Sequence, residues 1–385
     1  MRFPGFSDGW KEIQLHHLGV IVGGGTPDTS YKEYWNCGSI QWFTPSEVGK
    51  EKYVSLSERQ ITASGLQNSS AKLLPAGSIL LSSRATVGEC SINLAECCTN
   101  QGFQSFIPNK SIVGTEFLYY RLQTLKRVFI RKACGSTFLE ISASQIAKIW
   151  SFIPQEKEQN KIASFLSLID QRIALQNKVI ERYESLIRAI ILRSQTSSSR
   201  RKVYLHEILT ERKELNAQGY DICSVSVSKG VVNQVEYLGR SFAAKETAHY
   251  HVVHKGDIVY TKSPTGEFPY GIIKQSYLDT PVAVSPLYGV YEPIDYLTGV
   301  YLHHFFCSPQ NAKNYLHKLI QKGAKNTINI TNQHFLDNYI SIPESDTLQS
   351  IVATIETLSK RIDLEKELLS IFIEQKAYLM SNMFI

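Results

Sequence analysis

At 385 residues, with 43% hydrophobic and 20% charged residues, the chain is long enough for two domains with real cores and too apolar for wholesale disorder. There is no uninterrupted run of about 18 apolar residues, and Met1-Arg2-Phe3-Pro4-Gly5 leads into Asp8 and Trp10 rather than a secretory core, so a cytoplasmic protein is expected. A net charge of +6 suits a nucleic-acid partner without demanding one, and seven cysteines with no Cys-x-x-Cys pair imply neither disulfides nor zinc.

In chain order, residues 1–154 carry short apolar runs between turn signals, the pattern of a mixed β and α globule. The densest glycine cluster, Gly23-Gly24-Gly25, is followed by Thr26-Pro27 instead of the lysine and hydroxyl of a phosphate loop, so no nucleotide site is expected there. It is expected to be a tight turn at positive φ, with or without the bare backbone at Gly25 and Thr26 approaching a DNA phosphate. Trp42 and Phe43 read as core. Ala76-Gly77-Ser78-Ile79-Leu80-Leu81 is a turn entering a buried strand, and Ser82-Ser83-Arg84-Ala85-Thr86 follows it. The Arg84 fork fits a guanine and equally a carboxylate of its own fold; the Asn100-Gln101 amides suit adenine and equally tie loops together. A helix from near Glu116 carries Arg121, Lys126, Arg127, Arg131 and Lys132, then breaks at Gly135-Ser136-Thr137.

Residues 155–196 form the central long helix, with Ile162, Leu166, Ile169, Ile173, Ile180, Tyr183, Ile187 and Ile190 in alternating steps of four and three and Gln176 in a polar slot. Such a 3-4 alternation is the mark of a coiled-coil seam. The basic, polar stretch 194–202 reads as a linker, and the second globule occupies 197–343. Residues 344–385 repeat the helix with Ile351, Ile355, Leu358, Ile362, Leu369, Phe372, Leu379 and Met383, each 189 residues after its counterpart (351 less 162), and Glu365 answers Gln176. The clear mismatch is Lys376 against Ile187. At about 1.5 Å per residue, such helices are on the order of 60 Å long.

The globules repeat too. Lys255-Gly256-Asp257-Ile258-Val259-Tyr260 corresponds to the turn and strand at Ala76, and Tyr301-Leu302-His303-His304 to Phe117-Leu118-Tyr119-Tyr120. Thr261-Lys262-Ser263-Pro264-Thr265 answers the Arg84 segment, and Lys313, Lys318 and Lys322 precede a second break at Gly323-Ala324-Lys325-Asn326. Basic helix ends are favoured by the helix dipole in any case, but their recurrence fits a duplicated reader gripping two stretches of backbone.

This order resembles the Type I restriction-modification specificity subunit family over essentially the whole chain. The resemblance rests on Gly24-Gly25-Thr26-Pro27, Ile40-Gln41-Trp42-Phe43-Thr44, Ile61-Thr62-Ala63-Ser64-Gly65-Leu66, Thr99-Asn100-Gln101-Gly102-Phe103 and Glu158-Gln159-Asn160-Lys161-Ile162-Ala163. In the second copy it rests on Gly256-Asp257-Ile258-Val259-Tyr260 and Val284-Ser285-Pro286-Leu287-Tyr288, with a departure at Asp346-Thr347-Leu348-Gln349. It implies an α+β fold: two mixed α/β target-recognition globules alternating with two long helices that form an antiparallel, pseudo-two-fold symmetric coiled coil. It also implies a non-catalytic chain that chooses a bipartite asymmetric site on double-stranded DNA. Two methyltransferase subunits and the restriction and translocase subunits are then the partners, and S-adenosylmethionine, ATP and magnesium belong to them.

No chemistry of its own is expected. The chain lacks the Asn/Asp-Pro-Pro-aromatic loop and Gly-rich turn of an adenine methyltransferase. Glu211-Arg212-Lys213 and Glu374-Gln375-Lys376 have nuclease-like spacing but read as solvated charge, and His249, His251 and His254 lack the companions of a metal site. Candidate DNA contacts are Gly25, Thr26, Ser83, Arg84, Thr86, Asn100, Gln101, Arg131, Lys132, Ser136 and Thr137, then Lys262, Ser263, Ser285, Lys318, Lys322, Lys325 and Asn326. The seam is expected from Ile162, Leu166, Ile169, Ile173, Ile180, Ile351, Ile355, Leu358, Ile362 and Leu369. The alternatives are a coiled-coil, two-module interaction protein not dedicated to DNA, and a self-contained restriction-methylation enzyme.

Overall fold

The structure, a computed structural model, describes residues 2–135, 139–198, 200–238, 246–322 and 328–384. Contacts divide the chain into two units, Met1–Gln176 with Leu368–Ile385, and Asn177–Glu367, so each long helix gives one end to each unit.

In the first unit a five-stranded sheet runs in the order Gly19–Gly23, Gln104–Pro108, Ile79–Leu81, Cys90–Asn93, Tyr53–Val54. A three-stranded sheet has Ile40–Phe43 between Arg59–Ile61 and Cys97–Thr99, and Lys11–Gln14 pairs antiparallel with Trp150–Ile153. Ile79, Leu81, Cys90 and Phe106 meet Phe117, Leu118, Leu122 and Phe129 in one core. The basic helix expected from Glu116 is two helices, Thr115–Thr124 and Lys126–Lys132, broken at Leu125. Arg121 is buried, with Nε 2.8 Å from Ser151 Oγ and its pKa lowered by desolvation, and Lys126 pairs with Glu89. Neither cation is spare.

The second unit holds a four-stranded sheet, Leu209–Glu211, Gly289–Pro293, Ile258–Thr261, Ile272–Gln275, and the helices Tyr296–Phe306 and Pro309–His317. Phe335 is fully buried between Tyr260 and Tyr291, with ring centroids 4.8 and 4.7 Å away. The expected linker is shorter than its composition suggests. The helix continues to Ser194, and Arg200–Tyr204 is a strand antiparallel to Tyr339–Pro343, the counterpart of Lys11–Gln14 on Trp150–Ile153. Backbone pairing and the burial of Val203 outweigh the polar composition of 200–202.

The long helices are Glu156–Ser194 and Ser345–Met383, 39 residues each, and the second begins and ends 189 residues after the first (345 less 156, 383 less 194). In the first unit Ile162, Leu166 and Ile169 are buried and Ile173 partly so, in the same cluster as Leu379, Met383 and Phe384. The start of one helix therefore meets the end of the other. Lys376, the mismatch in the seam, places Nζ 2.6 Å from Asp170 Oδ1. In the second unit Ile180, Ile187, Ile355 and Ile362 are buried, Ile351 and Leu358 half-buried, and Lys366 Nζ lies 3.6 Å from Glu184. Leu369, in the first unit, is half-buried.

Neither nuclease-like tripeptide is solvated charge. Arg212 bonds the buried Asp257 with Nε and Nη2 at 2.7 and 3.1 Å, Glu211 accepts from Asn332 at 2.9 Å, and Lys376 is paired as above. They are internal ties. Among the described residues no helix is long and apolar enough to cross a membrane, and no group of three or more His, Cys, Asp or Glu is placed to hold a metal.

Candidate nucleic-acid interface

The glycine cluster earns its composition by close approach, not by the positive φ expected of it, since Gly23, Gly24 and Gly25 are absent from the positive-φ residues. A Cβ at Gly24 would lie 2.0 Å from Asn100 O, and one at Gly25 2.3 Å from Ser70 C. The loop is wedged between two others. Gly25 N donates to Thr99 O at 2.9 Å, and buried Trp42 donates from Nε1 to Gly25 O at 2.9 Å, which fixes Trp42 as core.

Around that wedge the first unit gathers most of its candidates. Thr26 Oγ1 donates to the exposed Gln101 side chain. Asn100 Oδ1 accepts from Gly102 N at 2.8 Å, the loop-tying use of an amide. Gly102 O accepts from Ser83 N at 2.8 Å, so the segment holding Arg84 is bound to the segment holding Gln101. Ser83 itself is fully buried. Ala85 takes a positive φ of 58°, unusual for a residue with a Cβ, and throws Thr86 outward.

Arg84 is engaged within its own fold: Nε lies 2.8 Å from Glu140 Oε1. Glu140 also pairs through its backbone with Cys134, in both directions at 2.9 and 3.0 Å, just past the exposed Arg131 and Lys132 at the end of their helix. Hydrogen bonds and one ion pair thus link positions 25, 26, 83, 84, 100, 101 and the stretch after 132 into one loop surface. Ser136 and Thr137 lie outside the described residues.

The second unit is arranged differently. Ser263 lies in a cleft of ≈ 230 Å³ with Ser224, Ser226, Thr261, Thr265 and Tyr288. Half-buried Ser285 accepts through its backbone O from Tyr288 N at 2.9 Å, which places it at the same cleft. Burial holds Lys262 below its ordinary pKa, with Glu211 acting the other way. Lys318 is exposed and lies with Lys202 over the Tyr339 ring, Nζ 5.2 and 4.7 Å from its centroid. Lys322 falls in the short strand Gln321–Lys322; Lys325 and Asn326 lie outside the described residues.

Sequence reasoning missed Arg59. It is exposed, and its guanidinium carbon stands 3.6 Å from the centroid of the Trp35 ring. It escaped notice because candidates were sought in segments that recur in both copies, and the segment at Arg59 was paired with nothing in the second.

Residues 7–185 match the family model described as Type I restriction modification DNA specificity domain. Over 180 residues the chain is 36% identical to the Type I restriction enzyme MjaIX specificity subunit of Methanocaldococcus jannaschii, covering 45% of this chain and 41% of that one. It is 29% identical over 196 residues to the EcoR124I/EcoR124II specificity subunit of Escherichia coli, covering 46% and 47%. The chain thus spans less than half the length of the curated relatives it matches. Its fold is similar to the crystal structure of a Type-I restriction-modification system S subunit from M. genitalium, with TM-score 0.57 and 13% identity over 100% and 99% of the two chains. A structure titled for complex assembly and conformational transition of the type I R-M system gives TM-score 0.57 and 12% identity over 97% of each. Over residues 7–185 the chain belongs to the Type I restriction modification DNA specificity domain family.

Proposed function

We propose that this chain is the DNA-reading specificity subunit of a Type I restriction-modification complex, itself without catalysis. The observation that carries the reading is duplication with divergence: two helices of 39 residues spaced by 189, each following a globule built on the same turn, strand and helix, but with different side chains on the loops. Two unlike readers on a repeated frame suit a bipartite, asymmetric site. Antiparallel pairing of the helices, supported by the contacts made within each unit, would set the distance between half-sites and give the pseudo-two-fold arrangement.

Partner docking is supported by apolar side chains left exposed on the helices of the first unit: Leu168 and Leu175 on one, Ile371 and Tyr378 on the other. A soluble helix with such a stripe fits a binding partner. Two methyltransferase subunits and the restriction and translocase subunits are the proposed occupants, and they would carry S-adenosylmethionine, ATP and magnesium.

Binding of the purified full chain, with and without its methyltransferase partners, to duplex DNA over a salt series tests this. The expected result is a steep loss of affinity with salt, since each neutralised phosphate adds about 0.9 to the slope. A flat series would favour an interaction protein not dedicated to DNA, and methyl transfer by the chain alone would favour the enzyme reading.

A further inference from the structure

We infer that Arg59 reads a guanine in the half-site of the first unit; the inference rests on the specificity-subunit reading above. Specific contact with guanine O6 and N7 calls for two parallel N–H donors held in a plane and free of competing acceptors. The exposed arginine named from the sequence fails the last condition, because Arg84 is held by Glu140 at 2.8 Å. Arg121 fails it by burial.

Arg59 meets all three. Its guanidinium lies 3.6 Å from the Trp35 centroid and 5.5 Å from that of Trp42. Trp35 is itself held, Nε1 donating to Asp28 O at 3.2 Å and its ring standing edge-on to Trp42 at 5.0 Å. Trp42 is buried and tied to Gly25 O. The stack fixes the plane of the fork at little entropic cost and leaves the in-plane N–H groups uncovered. Among the described residues no carboxylate pairs with Arg59 within 4.0 Å.

Its place in the fold agrees. Arg59–Ile61 is an edge strand of the three-stranded sheet, so its outer side is not occupied by another strand. Through Trp42 and Gly25 it adjoins the loop on which Thr26 and Gln101 meet. Tyr31, 53% exposed and stacked on Tyr34 at 5.2 Å, lies in the segment that leads to Trp35. Arginine, amide and hydroxyl groups are therefore gathered beside one another, the mixture that base edges require.

The test uses the full chain assembled with its methyltransferase partners and the duplex motif that this complex methylates, found by mapping methylated adenines in a host genome. Affinities are measured for that duplex and for copies with each base pair of both half-sites replaced in turn. Arg59→Ala is expected to weaken cognate binding roughly 10- to 100-fold and to abolish discrimination at one guanine, with every other position read as before. Arg59→Lys keeps the charge and most of the packing and should lose the same discrimination with a smaller loss of affinity, so it decides the matter should the alanine variant not assemble. Discrimination unchanged at every position in Arg59→Lys, or uniform weakening with all preferences kept, overturns the assignment. A wild-type complex that binds no duplex selectively would instead overturn the specificity-subunit reading.

Discussion

The same turn is built twice, as Gly77-Ser78-Ile79 and Gly256-Asp257-Ile258, and the two copies settle its buried polar residue by different physics. Both glycines sit at positive φ, 82° and 95°. Ser78 is fully buried and neutral, its hydroxyl donating to Pro75 O at 2.7 Å. Asp257 is 2% exposed and held by Arg212 together with the His254 backbone N–H at 2.8 Å. The helix starts differ in the opposite sense. Gln159, 2% exposed, makes three hydrogen bonds of 3.0 Å, to Gly114 N, Ile112 O and Pro154 O, whereas 189 residues on the same place is filled by Leu348. The seam repeats the contrast. Lys376 meets Asp170, which also accepts from Tyr120 OH, and Lys52 joins Tyr120 to Glu116 and Ser167, but the counterpart Ile187 is simply buried. A duplicated backbone tolerates such exchanges as long as each buried group is satisfied where it stands.

The largest effect should come from stranding an ion. Arg212→Met leaves Asp257 buried without its cation and is expected to cost about 3–5 kcal/mol in denaturant unfolding, against about 1 kcal/mol for Ser78→Ala in the other copy. Similar losses at the two turns would erase the distinction between them.

Acid should then separate the units. Burial and Lys274 push His304 from its ordinary 6.5 to about 4, and burial with His304 and Lys274 holds His303 well below its ordinary value. A base with a depressed folded pKa stabilises the fold above the unfolded pKa and loses that contribution as pH falls through the window from 6.5 toward 4. Gln275 N donates to His303 Nδ1 at 3.0 Å, so the neutral ring is also the one that serves the edge strand. The second unit should lose on the order of 2 kcal/mol across that window, visible as earlier hydrogen exchange in Ile272–Gln275 than in the equivalent strand Cys90–Asn93. Equal acid sensitivity of the two strands would refute the assignment to these histidines.

A smaller effect is expected from the seam. A double-mutant cycle on Asp170→Asn and Lys376→Met should return a coupling of roughly 0.5–3 kcal/mol, while Glu184→Gln with Lys366→Met, whose partners are 3.6 Å apart and more exposed, should return near zero. The reverse order would mean that the mismatch at Lys376 has no structural use.

What was legible in the sequence was set by periodicity. The two helices came through with ends within two residues, because a 3-4 apolar alternation over four heptads depends on the chain alone. The pairing of side chains did not come through. That Arg84 faces Glu140, that Arg212 faces Asp257 and that Gly24 abuts Asn100 depend on which distant loops the sheets bring together, and no local spacing encodes it. The strand at Arg200–Tyr204 was hidden for the same reason, since its partner, Tyr339–Pro343, is more than a hundred residues away. Arg59 was obscured by the method itself, as recurrence favours what the copies share and a reader of unlike half-sites differs where it reads.

The central claim is that two readers are held a fixed distance apart by the helices. It is tested most directly by inserting one heptad into each long helix, in the stretches after Ile169 and Leu358, and mapping methylated adenines across a host genome. A heptad adds about 10.5 Å of helix, the length of roughly three base pairs. The account predicts a two-part motif whose halves are unchanged and whose unread spacer is longer. A single continuous motif, or a two-part motif with the original spacer, would contradict it.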